Sequence, residues 1–273
     1  MKPELVMYTG AELLEGPVWD AKNMLIYCVS IEQKMFYSFD PSDGFVCAYR
    51  TDGQVGCVYI DKDGNIISAE EAGIFKTEIA SGKREFLIQL NDDPKMRYND
   101  GKYDPVGRLL VGTKGLLHDY PGEGAVFSWD GTNVKKIING TTISNGLGFS
   151  LNNKFLYFID TPKKVVSRYH YSTETGDAIF DKDIISFDGD SFPDGMCVDL
   201  DGNIWVAEWG GSRVCKWNPD NGEKVSEIQL PCKFVSSCCL GGDNLKTLYI
   251  TTAKNGEKNT LGGGLFTADI TDV

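Results

Sequence analysis

The chain has 273 residues and a formal net charge of −12 at pH 7. A chain of this length buries a large core without help from disulfides or metals. Its acidity excludes nucleic acid and anionic membranes as partners, because phosphate binding needs clustered Lys and Arg. No apolar run is long enough for a membrane-spanning helix, and the first residues, MKPELVMYTGAELLEGP, lack the apolar region of a signal peptide.

Eight cysteines occur without a CxxC pair, and several lie in apolar stretches. This pattern favours buried, reduced thiols, and we expect a cytoplasmic protein. Only two histidines are present, which excludes a metal site built from several His side chains.

A strand–turn–strand pattern recurs six times along the chain. The copies are EGPVWDAKNMLIYCVS from Glu15, VGCVYIDKDGNIISAE from Val55, NDGKYDPVGRLLVGT from Asn99, NGLGFSLNNKFLYFID from Asn145, DGMCVDLDGNIWVAEW from Asp194 and SSCCLGGDNLKTLYITT from Ser236. Successive copies begin 40 to 49 residues apart. A period near 45 residues with paired strands in each unit is typical of a β-propeller blade.

Further alternating stretches, such as MFYSFDPSDGFVCAYR at 35–50, follow the copies and supply two more strands per unit. The sequence therefore predicts an all-β fold, a six-bladed β-propeller with four antiparallel strands per blade. We expect a single domain over residues 1–273, existing as a monomer or small homo-oligomer. Either ELVMYTG near the start or GGLFTADI near the end could supply the strand that closes the last blade.

Two turns, DKDGN at 61–65 and DLDGN at 199–203, look at first like calcium-binding EF-hand loops. An EF-hand needs Gly at the sixth position and Glu at the twelfth. Here Gly is fourth, and Ala72 is twelfth counted from Asp61. Both stretches are therefore predicted to be hairpin turns.

The first strands of all blades run the same way along the axis, so the residues just before them are expected to meet at one mouth of the central channel. These residues are Glu15, Val55, Asn99 or Asp100, Asn145, Asp194 and Ser236. A carboxylate before Gly can be a local turn cap. Four carboxylates or carboxamides at one mouth instead indicate a cation site, since clustered carboxylates repel and hard oxygen ligands suit Ca²⁺, Mg²⁺ or Mn²⁺. We predict that Asp194 is a metal ligand and that Gly195 lets its strand approach the axis.

The segments EGPVWD, RYNDGKYDPVGRLLVGT, SNGLGFS, YFIDT and PDGMCVDLDGNIWVA resemble, in this order, the SMP-30/gluconolactonase/luciferin-regenerating family. The resemblance implies one divalent metal ion bound by Glu15, Asn145 and Asp194. Ca²⁺ is the first choice of metal, with Zn²⁺, Mn²⁺ or Mg²⁺ as alternatives. The resemblance also implies that Arg97 and Asn99 bind substrate, with Asn99 close enough to the metal to be a fourth ligand.

The family resemblance implies hydrolysis of a sugar lactone to the aldonic acid by metal-activated water at the channel mouth. Asp194 is the candidate catalytic residue, either as the base or as the group that orients the water. The loop that follows the residues GT at 112–113 departs from the family pattern. Lys114 and His118 in this loop are further candidates for substrate binding. Asp119 or Glu123 could replace an acidic residue that family members carry there.

Two alternatives to a sugar lactonase stay open. The altered loop is compatible with a metal-dependent hydrolase of another ester, either a phosphotriester or a xenobiotic lactone. Many propellers are interaction platforms, so a non-catalytic calcium-binding or interaction protein is the other alternative. The combination of Glu15, Asn145 and Asp194 favours an enzyme.

Overall fold

The computed structural model describes residues 2–271, and residues 1, 272 and 273 of the predicted domain lie outside the described residues. Almost all regular structure is β. The first three runs of strands are β2 to β5 (Leu14–Asp20, Leu25–Ser30, Met35–Phe39, Val46–Arg50), β6 to β9 (Val55–Ile60, Ile66–Glu70, Gly73–Thr77, Arg84–Ile88) and β10 to β13 (Met96–Tyr103, Leu109–Gly115, Gly124–Trp129, Val134–Thr141).

The remaining strands follow the same order. They are β14 to β17 (Ser144–Phe149, Phe155–Asp160, Val165–Tyr171, Ala178–Ser186), β18 to β21 (Phe192–Val198, Ile204–Trp209, Arg213–Trp217, Lys224–Gln229), β22 to β24 (Phe234–Gly241, Thr247–Ala253, Gly264–Asp269) and β1 (Glu4–Tyr8). A 3₁₀ turn at Thr161–Lys163 follows β15. No helix within residues 2–271 is long and apolar enough to cross a membrane.

The strands form an all-β propeller of antiparallel four-stranded blades. Four sheets contain β2–β5, β6–β9, β10–β13 and β14–β17, each paired in chain order. The other eight described strands form one sheet made of two four-strand runs, β18 to β21 and β22 to β24 with β1. A single residue pair, Trp209 with Phe234, joins β19 to β22.

The first strands of successive runs pack side by side around a closed ring. β2 contacts β6, β6 contacts β10, and the series continues through β14, β18 and β22 back to β2. We call β2, β6, β10, β14, β18 and β22 the inner strands. Apolar clusters fill the space between neighbouring sheets, and Trp205, Phe36, Phe158 and Phe266 are fully buried there. The ring thus has a packed core between blades and a channel at its centre.

Both candidate closing segments take part in the same sheet. β1 pairs with β24 in antiparallel register, with Glu4 opposite Thr267 and Tyr8 opposite Gly264. The N-terminal strand is therefore the outermost strand of the run that begins with β22. This pairing fastens one end of the described chain to the other.

The predicted position of the candidate residues just before the inner strands is wrong. Glu15, Asn99, Asn145 and Asp194 lie within β2, β10, β14 and β18. Each inner strand has a register shift at this level, for example between Glu15 and Val18 and between Pro193 and Met196. A β-bulge re-aims a side chain while pairing continues on both sides. Pairing therefore begins before the apolar run, which is the part of the strand that is visible in the sequence.

Glycine after the candidate residues permits close approach of neighbouring inner strands, and the approach of the Gly195 strand to the axis stays a prediction. A Cβ added to Gly195 would lie 2.0 Å from Ser237 Oγ and 2.8 Å from Ser237 Cα. A Cβ on Gly56 would lie 2.5 Å from the backbone oxygens of Tyr98 and Asn99. Larger residues at these positions would push the inner strands apart.

The two hairpin predictions are confirmed. The Asp61 N–H donates to the Asn65 carbonyl at 2.9 Å, and the Asp199 N–H donates to the Asn203 carbonyl at 2.9 Å. These turns connect β6 to β7 and β18 to β19. All eight cysteines are free thiols, and six of them are buried, in agreement with the sequence interpretation.

Candidate functional site

A cavity of about 470 Å³ lies at the end of the ring where the bulges occur. Six of the predicted site residues line it, namely Glu15, Arg97, Asn99, Lys114, Asn145 and Asp194. They come from β2, β10, β11, β14 and β18, so the site exists only when several blades are assembled. Its volume is within the range of about 300–1,000 Å³ that is typical of small-molecule sites.

A chain of hydrogen bonds runs through the polar side of the cavity. Arg97 Nη1 donates to Asn99 Oδ1 at 2.9 Å, and Asn99 Nδ2 donates to Asn145 Oδ1 at 2.9 Å. Asn145 Nδ2 then donates to Thr161 Oγ1 at 2.8 Å, and Thr161 Oγ1 donates to the Pro193 carbonyl at 2.9 Å. These bonds fix the orientation of both amides. In this arrangement the Asn99 oxygen faces Arg97, so its role as a metal ligand stays a prediction.

Two of the three carboxylates that line the cavity are almost fully buried, with 8% of Glu15 and 6% of Asp194 exposed. Burial, together with the charge of Asp100, raises the pKa of Glu15 to about 8. Burial and the nearby charge of Glu15 raise the pKa of Asp194 well above its usual range. A cation bound between the two carboxylates would relieve this repulsion.

Two cations face these carboxylates across the cavity. Arg97 is buried, and burial lowers the pKa of its guanidinium to about 10. Burial and the charge of Arg97 also lower the pKa of the Lys114 ammonium. Neither cation forms a salt bridge with Glu15 or Asp194 among the described residues, and Lys114 Nζ is 4.0 Å from Asp119 Oδ1. The cavity therefore combines unpaired acids with hydrogen-bond donors that remain available to a ligand.

The donor set fits a hard divalent cation. Glu15 and Asp194 supply carboxylate oxygens and Asn145 supplies an amide oxygen, which are the ligand types that Ca²⁺ and Mg²⁺ prefer. Within residues 2–271, no three His, Cys, Asp or Glu side chains are grouped as a metal site would require. The candidate ligands include only two acids, so a metal site here would also need the amide oxygens of Asn145 and Asn99.

The loop after β11 is divided between two cavities. Asp119 lines the main cavity with Lys114, whereas His118 does not and instead lines an adjoining groove. Glu123 is exposed, lies 3.9 Å from Lys95 and is not among the residues that line the cavity. On β3 and just after it, Ser30 is buried and Ile31 lines the cavity wall.

The sequence interpretation missed Thr161, Pro162 and Phe192, all of which line the cavity. Thr161 and Pro162 start the 3₁₀ turn that carries the hydroxyl against Asn145. Pro162 indicates the start of a helical turn, but nothing in the sequence indicates that this turn lies at the channel. Trp209, the last residue of β19, also lines the cavity.

Comparison with known proteins connects this site to a family. A family model described as the SMP-30/Gluconolactonase/LRE-like region matches residues 13–254. The chain belongs to this family. A Bacillus subtilis (strain 168) protein, provisionally named sugar lactone lactonase YvrE, is 33% identical over 272 residues, with 96% of this chain and 92% of that protein covered. Regucalcin of Gallus gallus is 32% identical over 269 residues, with 94% and 88% covered.

Solved structures of the family have the same fold. A luciferin-regenerating enzyme matches with a TM-score of 0.89 at 26% identity, covering 97% of this chain and 94% of that one. A calcium-binding protein, regucalcin, from Agrobacterium tumefaciens matches with a TM-score of 0.91 at 24% identity, covering 97% and 92%. A gluconolactonase from Xanthomonas campestris matches with a TM-score of 0.79 at 20% identity, covering 98% and 89%. The last two likenesses show the fold alone.

Proposed function

We propose that this protein hydrolyses a sugar lactone to the corresponding aldonic acid, with a bound divalent cation. The observation that carries the proposal is the pair of buried acids, Glu15 and Asp194, which share one cavity with the available donors of Arg97 and Lys114. The family, which includes relatives named lactonase and gluconolactonase, supports this reaction class.

In the reaction, the oxygen of water bonds to the lactone carbonyl carbon and the ring C–O bond breaks. The ring oxygen takes a proton and leaves as a hydroxyl, so one water is consumed and one hydroxy acid is formed. Negative charge develops on the carbonyl oxygen in between, and preorganised cationic donors stabilise such charge. Arg97 makes its two protein hydrogen bonds through Nη1, which leaves its other nitrogens for the substrate.

Glu15, Asn145 and Asp194 would hold the cation, with Asn99 next to it. A bound divalent cation supplies Lewis-acid polarisation and lowers the pKa of water. Asp194 is the residue of this chain that we assign to receiving the proton of the water at a carboxylate oxygen, or to orienting that water. Asn99 holds Arg97 and Asn145 in place by one hydrogen bond to each. Phe192 and Trp209 add apolar surface to the cavity wall.

The proposal includes the complete architecture. We infer six blades in a single domain of residues 1–273, counting the eight-stranded sheet as two blades joined at Trp209 and Phe234. The closed ring of inner strands supports this count. We infer a cytoplasmic location, which the eight free thiols support.

The direct test measures proton release from a panel of aldono-1,4- and 1,5-lactones. Metal-stripped protein is compared with protein reloaded with Ca²⁺, Mg²⁺, Mn²⁺ or Zn²⁺, and Asp194→Ala is the inactive control. Metal-dependent turnover that is lost in Asp194→Ala is the expected result. If the protein hydrolyses only phosphotriesters or xenobiotic lactones, its substrate is an ester of that class and not a sugar lactone.

Calcium binding without catalysis is the second candidate, favoured by the regucalcin and calcium-binding names of relatives. Calorimetry separates the two candidates. Tight Ca²⁺ binding, with no turnover of any lactone under any metal, would support the binding function and overturn the enzymatic one.

A further inference from the structure

A side groove of about 340 Å³ adjoins the main cavity. Arg97, Lys114 and Asp119 line both spaces. The far wall of the groove consists of Glu32, Gln54 and His118, together with residues 115–117 of the loop after β11. The two spaces therefore adjoin each other at three shared side chains.

Arg97 is placed to contact ligand groups on both sides. Its Nη1 is held by the Tyr98 carbonyl at 2.8 Å and by Asn99 Oδ1 at 2.9 Å, which fixes the guanidinium plane. The acids that act on its charge come from both spaces, with Glu32 of the groove first and Glu15 of the main cavity second. One rigid guanidinium thus borders the two spaces.

The charges of the groove select for a neutral polar ligand. Glu32 and Asp119 carry negative charge, and Arg97 and Lys114 balance it, so the groove has no excess of either sign. A phosphate in the groove would face two carboxylates as well as two cations. A sugar ring presents hydroxyls that both donate and accept, and it can therefore use the carboxylates, the Gln54 amide and the cations together.

We propose that the substrate is the lactone of a disaccharide aldonic acid, with the lactone ring in the main cavity and the second, neutral sugar unit in the side groove. This inference rests on the proposed function, because the reacting ring occupies the same site. Gln54 and Glu32 then determine specificity for the second sugar. Gln54 Nε2 lies 3.4 Å from Glu32 Oε2, so the two side chains form one polar wall.

The test compares cellobiono-1,5-lactone with glucono-1,5-lactone, using the metal that gives the highest turnover. We expect kcat/KM to be at least about tenfold higher for the disaccharide lactone, the effect of one or two added hydrogen bonds. In Gln54→Ala, the ratio of the two kcat/KM values falls by about tenfold, and Glu32→Gln is the second variant. Gln229→Ala, on the outer strand β21, is the matched control and keeps the wild-type ratio.

Binding gives a readout that does not depend on turnover. Calorimetry with the Ca²⁺-loaded protein should show tighter binding of cellobionic acid than of gluconic acid, and Gln54→Ala should remove the difference. Turnover of both lactones at equal kcat/KM, with no effect of Gln54→Ala, would overturn the inference and leave the proposed function in place. A preference for 6-phosphoglucono-1,5-lactone would also overturn the inference, because the groove would then bind an anionic group and not a neutral sugar.

If the protein hydrolyses no lactone, the proposed function is wrong. The binding experiment still decides the inference in that case, since preferential binding of cellobionic acid that depends on Gln54 would support the groove as a sugar site. Equal binding of the two acids would overturn it.

Discussion

Asn99 donates from Nδ2 to Oδ1 of Asn145 at 2.9 Å, across the boundary between β10 and β14. The bond joins two inner strands of neighbouring blades at the level of their bulges. Arg97 holds Asn99, and Thr161 holds Asn145. The position of the candidate ligand Asn145 therefore depends on residues from three segments of the chain. The site is therefore sensitive to changes in side chains that touch no ligand.

Thr161→Val should weaken cation binding while leaving the shape of the turn intact. The substitution removes the hydroxyl that accepts from Asn145 and donates to the Pro193 carbonyl. Loss of a group that orients a metal ligand costs about 10- to 100-fold in affinity. Calorimetric titration with Ca²⁺ measures the change. Thr132→Val, in an exposed turn, is the control, and equal affinity in Thr161→Val and wild type would contradict the role of the hydroxyl.

Asp194→Asn should raise the stability of the metal-free protein and remove the stabilisation by Ca²⁺. The neutral amide removes a buried charge that lies near Glu15, so we expect the metal-free protein to gain about 1 kcal/mol in free energy of unfolding. The same change removes a carboxylate ligand, so the stabilisation that Ca²⁺ gives to wild type should disappear. Thermal unfolding with and without Ca²⁺ tests both effects. Asp201→Asn, in the β18–β19 turn, should unfold as wild type does, and a destabilised metal-free Asp194→Asn would refute the expectation.

Gly195→Ala should destabilise the ring of inner strands. The added methyl would overlap Ser237, and overpacking of this kind costs about 1–3 kcal/mol. Ser237→Gly in the same protein should recover part of the loss, since it removes the Cβ and Oγ of the clash. Urea unfolding of the two single variants and the double variant gives the coupling energy. Strictly additive losses would show that the two positions are not in contact.

A glycine in open space gives a comparison in which backbone strain acts without steric overlap. Gly131 lies in an open turn with φ of 94°, and no atom lies within 4 Å of its ideal Cβ. Gly131→Ala should cost only the backbone strain of a left-handed residue, about 1 kcal/mol. A loss well above about 1 kcal/mol in Gly131→Ala would contradict this expectation.

Glu208→Gln should reduce the sensitivity of the fold to acid. Glu208 is buried beside Trp209, and Oε2 accepts from Ser191 at 2.7 Å and from Arg213 at 2.8 Å. Burial alone would raise the pKa of Glu208, but the bonds from Arg213, Cys215 and Ser191 outweigh it and hold the pKa below the usual 4.5. A carboxyl with a lowered pKa stabilises the fold above its unfolded pKa, and this stabilisation is lost as pH falls through the folded pKa.

The Glu208→Gln variant should therefore be roughly 1–3 kcal/mol less stable than wild type at pH 7, and the difference should shrink below about pH 4.5. Urea unfolding between pH 7 and pH 3 measures it. Glu174→Gln, in an exposed turn, is the control. A difference that stays constant over this range would show that the ion pair with Arg213 contributes no pH dependence.

The fold could be predicted from the sequence because the repeat marks every inner strand. Each copy joins a small residue, an apolar run and a turn, and this local pattern is enough to locate the β2–β3 and β18–β19 hairpins. The bulges were not predictable, because a register shift depends on the partner strand and leaves no mark on spacing. Glu15 and Asp194 were therefore placed before their strands instead of within them.

The candidate site was predictable only in part, for a related reason. Glu15, Asn145 and Asp194 occupy equivalent positions in the repeat, and symmetry brings them together. Arg97 faces the same cavity from two residues earlier in β10, where the repeat gives no signal, and it was identified through the family resemblance alone. Thr161 reaches Asn145 from the connection after β15, and His118 points into the side groove, because connections between strands do not follow the repeat.

The pairing of β1 with β24 has a consequence for the order of events during synthesis. β1 leaves the ribosome well before its partner, residues 264–269, has been made. Until β22 to β24 have been made, β2 lacks a neighbour on one side and the channel has no complete wall. Contacts this far apart in sequence form slowly. The nascent protein therefore carries open sheet edges and an incomplete ring of inner strands until β22 to β24 have been made.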